Sequence, residues 1–165
     1  MTAFTEAVKI AHAAIRQGQP AQALEAARMA AAANPKSSEA WWLLGTAAMG
    51  LDDMPTAESA FARAAEAAPP GSKLSGQMLA LRGKPLISDG RMADAVESAR
   101  QAVATGLSDV PSLVKLSYTF THAGLPEEAL SCIRPATELA PDHAEAWYSL
   151  GSVYRTLGQI DDSEA

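Results

Sequence analysis

The sequence predicts an all-α protein, built as an α-solenoid of antiparallel helix pairs. Two observations carry this prediction. Of the 165 residues, 48% are apolar but only 5% are aromatic, and alanine, which loses no side-chain entropy on entering a helix, is the commonest apolar residue. The second observation is an internal period of about 34 residues, which is typical of a repeated helical hairpin. A composition poor in β-branched and aromatic residues argues against a sheet protein.

The period is visible in both halves of the chain. Pro35 and Pro69 are one period apart, and so are Gly90, Gly124 and Gly158 in succession. The separation of Trp41 and Trp147 equals three periods plus a short insertion. One insertion near residues 70–75, in a stretch of proline, glycine and serine, explains the difference.

The residues that carry the period resemble the tetratricopeptide repeat (TPR), in the style of bacterial TPR domains. The matching residues are Ala40, Trp41, Leu44, Gly45, Ala57, Phe61, Ala64 and Pro69, and then Ala146, Trp147, Leu150, Gly151, Tyr154 and Gly158. Ser163 departs from the pattern, because a small alanine is usual there. The resemblance implies a right-handed superhelix of about 4.5 repeats, with units 4–37, 38–71, 76–109, 110–143 and a partial unit 144–165.

Glycine and proline predict where the helices end and begin. We expect the first helices to end at Gly18, Gly90, Gly124 and Gly158, and the second helices to begin at Pro20, Pro55 and Pro126. Asp142 and Glu145 have the spacing of a capping box for the last long helix. Between the helices, Trp41 with Phe61, and Trp147 with Leu150, are expected to supply the bulk of the packing.

Three features depart from a regular array. Pro85 falls inside the first helix of unit 3, and Pro135 falls inside the second helix of unit 4, where a proline costs about 3 kcal/mol or a kink. The sequence stops at Ala165, where a tenth helix would begin. We therefore expect a fragment of a longer chain; the alternative is a short protein that forms a homodimer through the uncapped last helix.

Charge and cysteine content exclude several classes of function. The net charge of −6 and the lack of a basic stripe argue against nucleic acids and membrane surfaces as partners. Cys132 is the only cysteine, so neither an internal disulfide nor a cysteine-based metal site is expected. The N-terminus has no signal-peptide pattern, and every apolar stretch is far shorter than a membrane span, which predicts a cytoplasmic protein.

No constellation of residues predicts catalysis. His12, His122 and His143 lack the spacing of metal ligands, and Gly83-Lys84 with Pro85 does not complete a phosphate-binding loop. Cys132 has no phased histidine or asparagine that would make it a nucleophile. We expect no enzyme activity, no cofactor and no metal.

The resemblance implies a binding role for the first helices, which line the concave face of TPR arrays and hold a peptide or helix of a partner protein. Helical spacing assigns to this face Val8, His12, Trp42, Thr46, Met49, Lys84, Val114, Tyr118, His122, Tyr148, Ser152 and Arg155. The aromatic residues are candidate anchors, and Lys84 and Arg155 are candidate contacts for acidic ligand side chains. The lysine and asparagine pattern that holds chaperone C-terminal tails is missing.

The predicted function is a non-catalytic scaffold for protein–protein interaction. An alternative is the N-terminal TPR region of a larger enzyme. The segment 148–158 and the acidic, alanine-rich style are similar to bacterial TPR regions that precede sulfotransferase-like domains. The length of the parent reading frame distinguishes the two.

Overall fold

The structure is a computed structural model that describes residues 2–164, with side chains described as far as residue 158. Ten helical segments make up this part of the chain: α1 (Ala3–Arg16), α2 (Pro20–Ala33), α3 (Ser38–Gly50), α4 (Met54–Ala67), α5 (Lys73–Leu81), α6 (Gly83–Ser88), α7 (Met92–Ala104), α8 (Val110–His122), α9 (Pro126–Leu139) and α10 (Ala144–Glu164). Each helix packs against its sequence neighbours, and the described residues include no strand. The predicted all-α solenoid is confirmed.

The helices form antiparallel pairs that stack one after another. The pairs are α1 with α2, α3 with α4, the short α5 and α6 together with α7, and α8 with α9, while α10 packs on α8 and α9. We call α1, α3, α5, α6, α8 and α10 the first helices, and α2, α4, α7 and α9 the second helices. Because the connections between consecutive helices are short, neighbouring helices pack antiparallel to each other.

The first and last turns of the helices follow the local sequence. The side chains of Thr2, Ser37, Asp53, Ser72 and Asp109 each accept a hydrogen bond from a backbone N–H of the helix that follows. Proline occupies the first turn of α2, α4 and α9, as predicted, where its missing N–H costs nothing.

Small alanine side chains allow the two helices of a pair to approach each other closely. Each second helix has two alanines that lie two turns apart on one face, with a third apolar residue between them. All of these side chains are at most 2% exposed. The four sets are Ala23, Ala27 and Ala30; Ala57, Phe61 and Ala64; Ala95, Ala99 and Ala102; and Ala129, Ile133 and Ala136. This face packs on the first helix of the same pair.

The third pair departs from the others, because its first helix is broken. A turn at Arg82 separates α5 from α6. Pro85 is buried in the first turn of α6, where a backbone N–H would have no partner within the helix, so its missing N–H costs no hydrogen bond. The helix is therefore interrupted before the proline and is not kinked at it. Arg82 at the break donates two hydrogen bonds, of 3.1 and 2.6 Å, to Glu58 Oε1 in α4.

Pro135 does not break α9, although it lies inside the helix. It and Ser131, whose carbonyl loses its helical donor, are both exposed. The unpaired carbonyl therefore faces water, which is the least costly place for it.

Three expectations for the last helix are wrong. The helix does not end at Gly158 but runs to Glu164 as one segment. By contrast, the helix ends predicted at Gly18, Gly90 and Gly124 are present, and these glycines have positive φ values of 66°, 74° and 68°. His143, not Asp142, precedes the first turn, and the Ala146 N–H donates to its Nδ1 over 3.3 Å. Trp147 is 51% exposed and fills no space between helices. Ser163 lies outside the described side chains.

Candidate binding groove

A cavity of about 560 Å³ lies along the first helices in the C-terminal half, and every residue that lines it comes from α3, α5, α6, α8 or α10. The lining residues are Met49, Ala80, Leu81, Lys84, Val114, Lys115, Tyr118, Thr121, His122, Glu145, Tyr148, Ser149 and Ser152. Because only first helices contribute, the cavity belongs to one face of the stack. We call it the main cavity.

A second cavity of about 420 Å³ continues the same face towards the N-terminus. Trp42 of α3, Gln77 of α5 and Asp109 next to α8 line it. Leu81 and Lys115 line both cavities. The two cavities together therefore form one continuous surface, which we call the groove.

The groove brings together eight of the twelve residues that helical spacing assigned to the concave face. Met49, Lys84, Val114, Tyr118, His122, Tyr148 and Ser152 line the main cavity, and Trp42 lines the second one. Val114 is 6% exposed and contributes mainly to the core. The other four, Val8, His12, Thr46 and Arg155, line neither cavity.

His12 extends the aromatic surface beyond the groove. Its Nε2 lies 2.9 Å from Glu39 Oε1, and its ring lies 5.7 Å from the Trp42 ring. These contacts join α1 to α3 and hold the Trp42 side chain beside the second cavity.

Two tyrosines in the main cavity differ in how they are held. The Tyr118 ring lies 4.0 Å from the His122 ring, and His122 Nδ1 lies 2.9 Å from the Tyr118 carbonyl oxygen, so this pair is fixed on α8. Tyr148 is 76% exposed. The exposed Tyr148 and the fixed Tyr118 together provide a large apolar area for a ligand, and a tyrosine loses little side-chain entropy on binding.

Two lysines give the main cavity a local positive charge. Within the described residues, neither Lys84 nor Lys115 forms an ion pair with a carboxylate, and Lys115 Nζ instead donates to the Pro111 carbonyl over 3.1 Å. Glu145 is the acidic residue in the same lining. Because an ammonium group has three donors, both lysines can pair with an acidic ligand group without breaking an existing ion pair.

At the edge of the second cavity, Asp109 caps α8. It accepts hydrogen bonds from the Ser112 N–H at 3.0 Å and from Gln77 Nε2 at 3.3 Å. Burial alone would raise its pKa, but these hydrogen bonds outweigh burial and hold the pKa of Asp109 below its ordinary value. Asp109 therefore remains a carboxylate that ties α5 to α8.

The sequence matches the family model of the cilia and flagella-associated protein 70 C-terminal domain, a TPR domain, over residues 4–165. The chain belongs to this family. No curated protein matches the sequence.

Solved structures show the same fold for this TPR domain. It is similar to MamA, with a TM-score of 0.70 at 18% identity, covering 97% of this chain and 85% of that one. It is similar to TTC0263 of Thermus thermophilus, with a TM-score of 0.72, 20% identity and coverage of 90% and 79%. YrrB, described as a TPR protein with an unusual peptide-binding site, has a TM-score of 0.65, 21% identity and coverage of 90% and 75%.

The twelve residues that helical spacing assigned to the concave face do not include Leu81 or Lys115, although both line both cavities of this TPR domain. Lys115 precedes Tyr118 by one helical turn, so helical spacing from Tyr118 carried the signal. Leu81 is the last residue of α5, beside the break at Arg82.

Three features of the described residues bear on metal binding, nucleophilic chemistry and membrane crossing. Within it, no group of three histidine, cysteine or acidic side chains could hold a metal ion. Burial raises the pKa of the Cys132 thiol, which keeps it protonated and a poor nucleophile. Within residues 2–164, no helix combines the length and apolar character that crossing a membrane requires.

Proposed function

We propose that this TPR domain is a protein–protein interaction scaffold that binds a peptide or helix of a partner protein in the groove. The observation that carries the proposal is the lining of the main cavity. Tyr118 and Tyr148 offer aromatic surface, and Lys84 and Lys115 lie in the same lining without a carboxylate partner among the described side chains. An apolar cavity with a few polar groups is the usual form of a binding site.

The charges favour a ligand that carries both an acidic and an apolar side chain. The chain has a net charge of −6, so a site with two lysines stands out from the rest of the molecule. An acidic ligand group between Lys84 and Lys115 would be attracted to this site and repelled elsewhere. The similarity to YrrB, a TPR protein with a peptide-binding site, supports a peptide as the ligand class.

A displayed library of short random peptides tests the proposal without a known partner. Peptides selected on the wild-type domain are synthesised, and their dissociation constants are measured by calorimetry. Truncation of Tyr148 or Lys115 to alanine should weaken binding about tenfold or more, as expected for an anchor residue.

Matched controls lie outside the groove. Tyr154→Ala removes an exposed tyrosine from the same helix as Tyr148, and Lys73→Ala removes an exposed lysine from α5. Both should leave the affinity unchanged. Failure to select any peptide, or equal losses in the groove and control variants, would overturn the proposal.

The alternative, a TPR region that precedes a sulfotransferase-like domain, stays a prediction about the parent gene. It is compatible with a groove that binds peptides, since a repeat region can recruit a substrate protein for a neighbouring enzyme. A reading frame with no phosphate-binding loop beyond residue 165 would contradict it.

A further inference from the structure

The two cavities of the groove carry opposite charge. The charged residues that line the main cavity are Lys84, Lys115 and Glu145, and those that line the second cavity are Lys115, Glu39 and Asp109. With histidine taken as neutral, the formal charges of the first set sum to a positive value and those of the second set to a negative value. Because Lys115 lines both cavities, the sign changes within one continuous surface.

Asp109 can accept a further donor in the second cavity. Its Oδ1 accepts from the Ser112 N–H over 3.0 Å and its Oδ2 from Gln77 Nε2 over 3.3 Å, whereas a carboxylate has about four acceptor sites. These hydrogen bonds hold the pKa of Asp109 below its ordinary value, so the group stays charged. None of the ion pairs among the described residues includes Asp109. A cation of a ligand can therefore pair with it.

The second cavity also has the aromatic and apolar surface that suits a basic side chain. Trp42 and Leu74 line it beside Asp109, and Leu74 is 43% exposed. The face of an aromatic ring attracts a cation, and the long stem of lysine or arginine packs on apolar surface. The pairing of arginine with tryptophan already occurs elsewhere in the chain, where the Arg63 guanidinium lies 4.7 Å from the centre of the Trp41 ring.

A ligand of uniform charge does not fit the whole groove. An acidic segment that pairs with Lys84 and Lys115 would meet Asp109 and Glu39 as it continues into the second cavity. A basic segment would meet the two lysines at the other end. Because like charges in contact are unfavourable, the groove selects against both kinds of ligand. Charge complementarity is satisfied by a ligand that carries both signs.

Helix α8 sets the distance between the two ends of such a ligand. Asp109 caps the helix, and Lys115 follows it by six residues. At a rise of about 1.5 Å per residue, the two positions are about 9 Å apart along the helix axis. An extended peptide covers this distance in about three residues and a helix in about six.

We propose that the groove binds a segment with one basic and one acidic side chain, roughly three to six positions apart. The basic side chain lies in the second cavity against Trp42 and Asp109, and the acidic one lies in the main cavity between Lys84 and Lys115. This inference rests on the proposed function, because it concerns the ligand of the same groove. It adds a second charge to that ligand and fixes its orientation.

A displayed library of short random peptides, selected on the wild-type domain, provides the probes. Sequences of the selected peptides should contain a basic and an acidic residue at one recurring separation of roughly three to six positions. This pair should be more frequent than in the unselected library. Added salt should weaken the binding of the synthesised peptides, because it screens ion pairs at an exposed surface.

Charge removal in the protein and in one selected peptide is then combined in pairs. Asp109→Asn keeps the N-cap of α8 and should weaken binding about tenfold, but only while the peptide retains its basic residue. Lys115→Gln should show the same dependence on the acidic residue of the peptide. In the crossed combinations, the two single losses should simply multiply, because those groups do not touch.

Matched control variants remove the same charges outside the groove. Asp94→Asn changes an exposed aspartate of α7, and Lys73→Gln changes an exposed lysine of α5 that lines neither cavity. Both should leave the affinity of the peptide unchanged. Circular dichroism of all four variants should show the helical signal of the wild type, which separates loss of binding from loss of fold.

The outcomes separate this inference from the proposed function. Failure to select any peptide would overturn the proposed function and this inference with it. Peptides that bind the groove but lack the paired charges, or that are acidic throughout, would overturn this inference alone. So would crossed combinations that are coupled as strongly as the matched ones, because the assigned orientation would then be wrong.

Discussion

Gly45 of α3 lies against the ring of Phe61 in α4, where a Cβ would come within 2.6 Å of the ring. Phe61 is 1% exposed and is enclosed by the core, so it has little room to move. The close approach of α3 and α4 therefore requires the absence of a side chain at this glycine.

Gly45→Ala should destabilise the domain by about 1–2 kcal/mol. Overpacking a core costs about 1–3 kcal/mol, and the better helix propensity of alanine returns up to about 1 kcal/mol. Urea denaturation measures the difference. Gly151→Ala is the matched control, since no described atom lies near its Cβ; it should stabilise by up to about 1 kcal/mol. Changes of the same sign in both variants would contradict the steric explanation.

Glu58 and Arg82 join α4 to the break between α5 and α6. The side chains are 17% and 21% exposed, and Arg91 lies 3.7 Å from the second carboxylate oxygen. Glu58→Ala should cost about 1–3 kcal/mol, because it leaves a partly buried guanidinium without its acceptor. Thermal or urea unfolding provides the measurement.

Arg100→Ala is the control for that ion pair. Arg100 and Glu128 lie 3.3 Å apart but are 57% and 39% exposed. Because surface ion pairs contribute little, the change should stay within about 0.5 kcal/mol. Equal effects of Glu58→Ala and Arg100→Ala would show that burial does not decide the strength of these pairs.

The periodic residues predicted most of the fold because each has a local physical role. Gly18, Gly90 and Gly124 adopt the positive φ that ends a helix, and proline starts the second helices. Gly158 carried the same signal, yet α10 continues through it. A glycine permits a turn but does not force one, and no described helix folds back on α10 there.

Helical spacing predicted part of the groove, including a residue beyond the break in the third pair. Helical spacing identified Tyr118, Tyr148 and Lys84, which do line the main cavity. It did not include Leu81, the last residue of α5, and it did not predict the break at Arg82, whose side chain donates to Glu58 of α4. Single-helix periodicity carries no information about such contacts.

The lowered pKa of Asp109 predicts that the stability of the domain depends on pH. Hydrogen bonds from Ser112 and Gln77 outweigh the effect of burial and lower the pKa of its carboxyl group below the ordinary 3.8. A carboxyl group with a lowered pKa in the folded state contributes stability above its unfolded pKa, and this contribution is lost as pH falls through the folded pKa. The loss should therefore occur below about pH 4.

Asp109→Asn separates this carboxylate from the other acidic groups. Asparagine keeps the N-cap hydrogen bond but does not titrate. Urea midpoints measured from neutral pH down into the acid range should fall less steeply in the variant below about pH 4 than in the wild type. Gln77→Ala, which removes one of the donors, should give an intermediate slope. Identical slopes in all three proteins would assign the acid sensitivity to other residues.

Pro135 lies inside α9 and leaves the carbonyl of Ser131 without a helical donor. Pro135→Ala restores an N–H at that position. An interior proline costs a helix about 3 kcal/mol, but proline also restricts the unfolded chain by up to about 1 kcal/mol, and exposure lets water satisfy the carbonyl. The expected gain in the free energy of unfolding, measured by urea denaturation, is therefore about 1–2 kcal/mol.

Pro126→Ala is the matched control for Pro135→Ala, because both prolines belong to α9. Pro126 begins the helix, where its missing N–H has no intrahelical acceptor, so its replacement should not raise the stability. The two substitutions remove the same restriction from the unfolded chain, but only Pro135→Ala restores a helical hydrogen bond and relieves the clash of the ring with the preceding turn. Release of the unfolded chain can only lower the stability, so an equal gain in both variants would contradict the assignment of the gain to the interior of the helix.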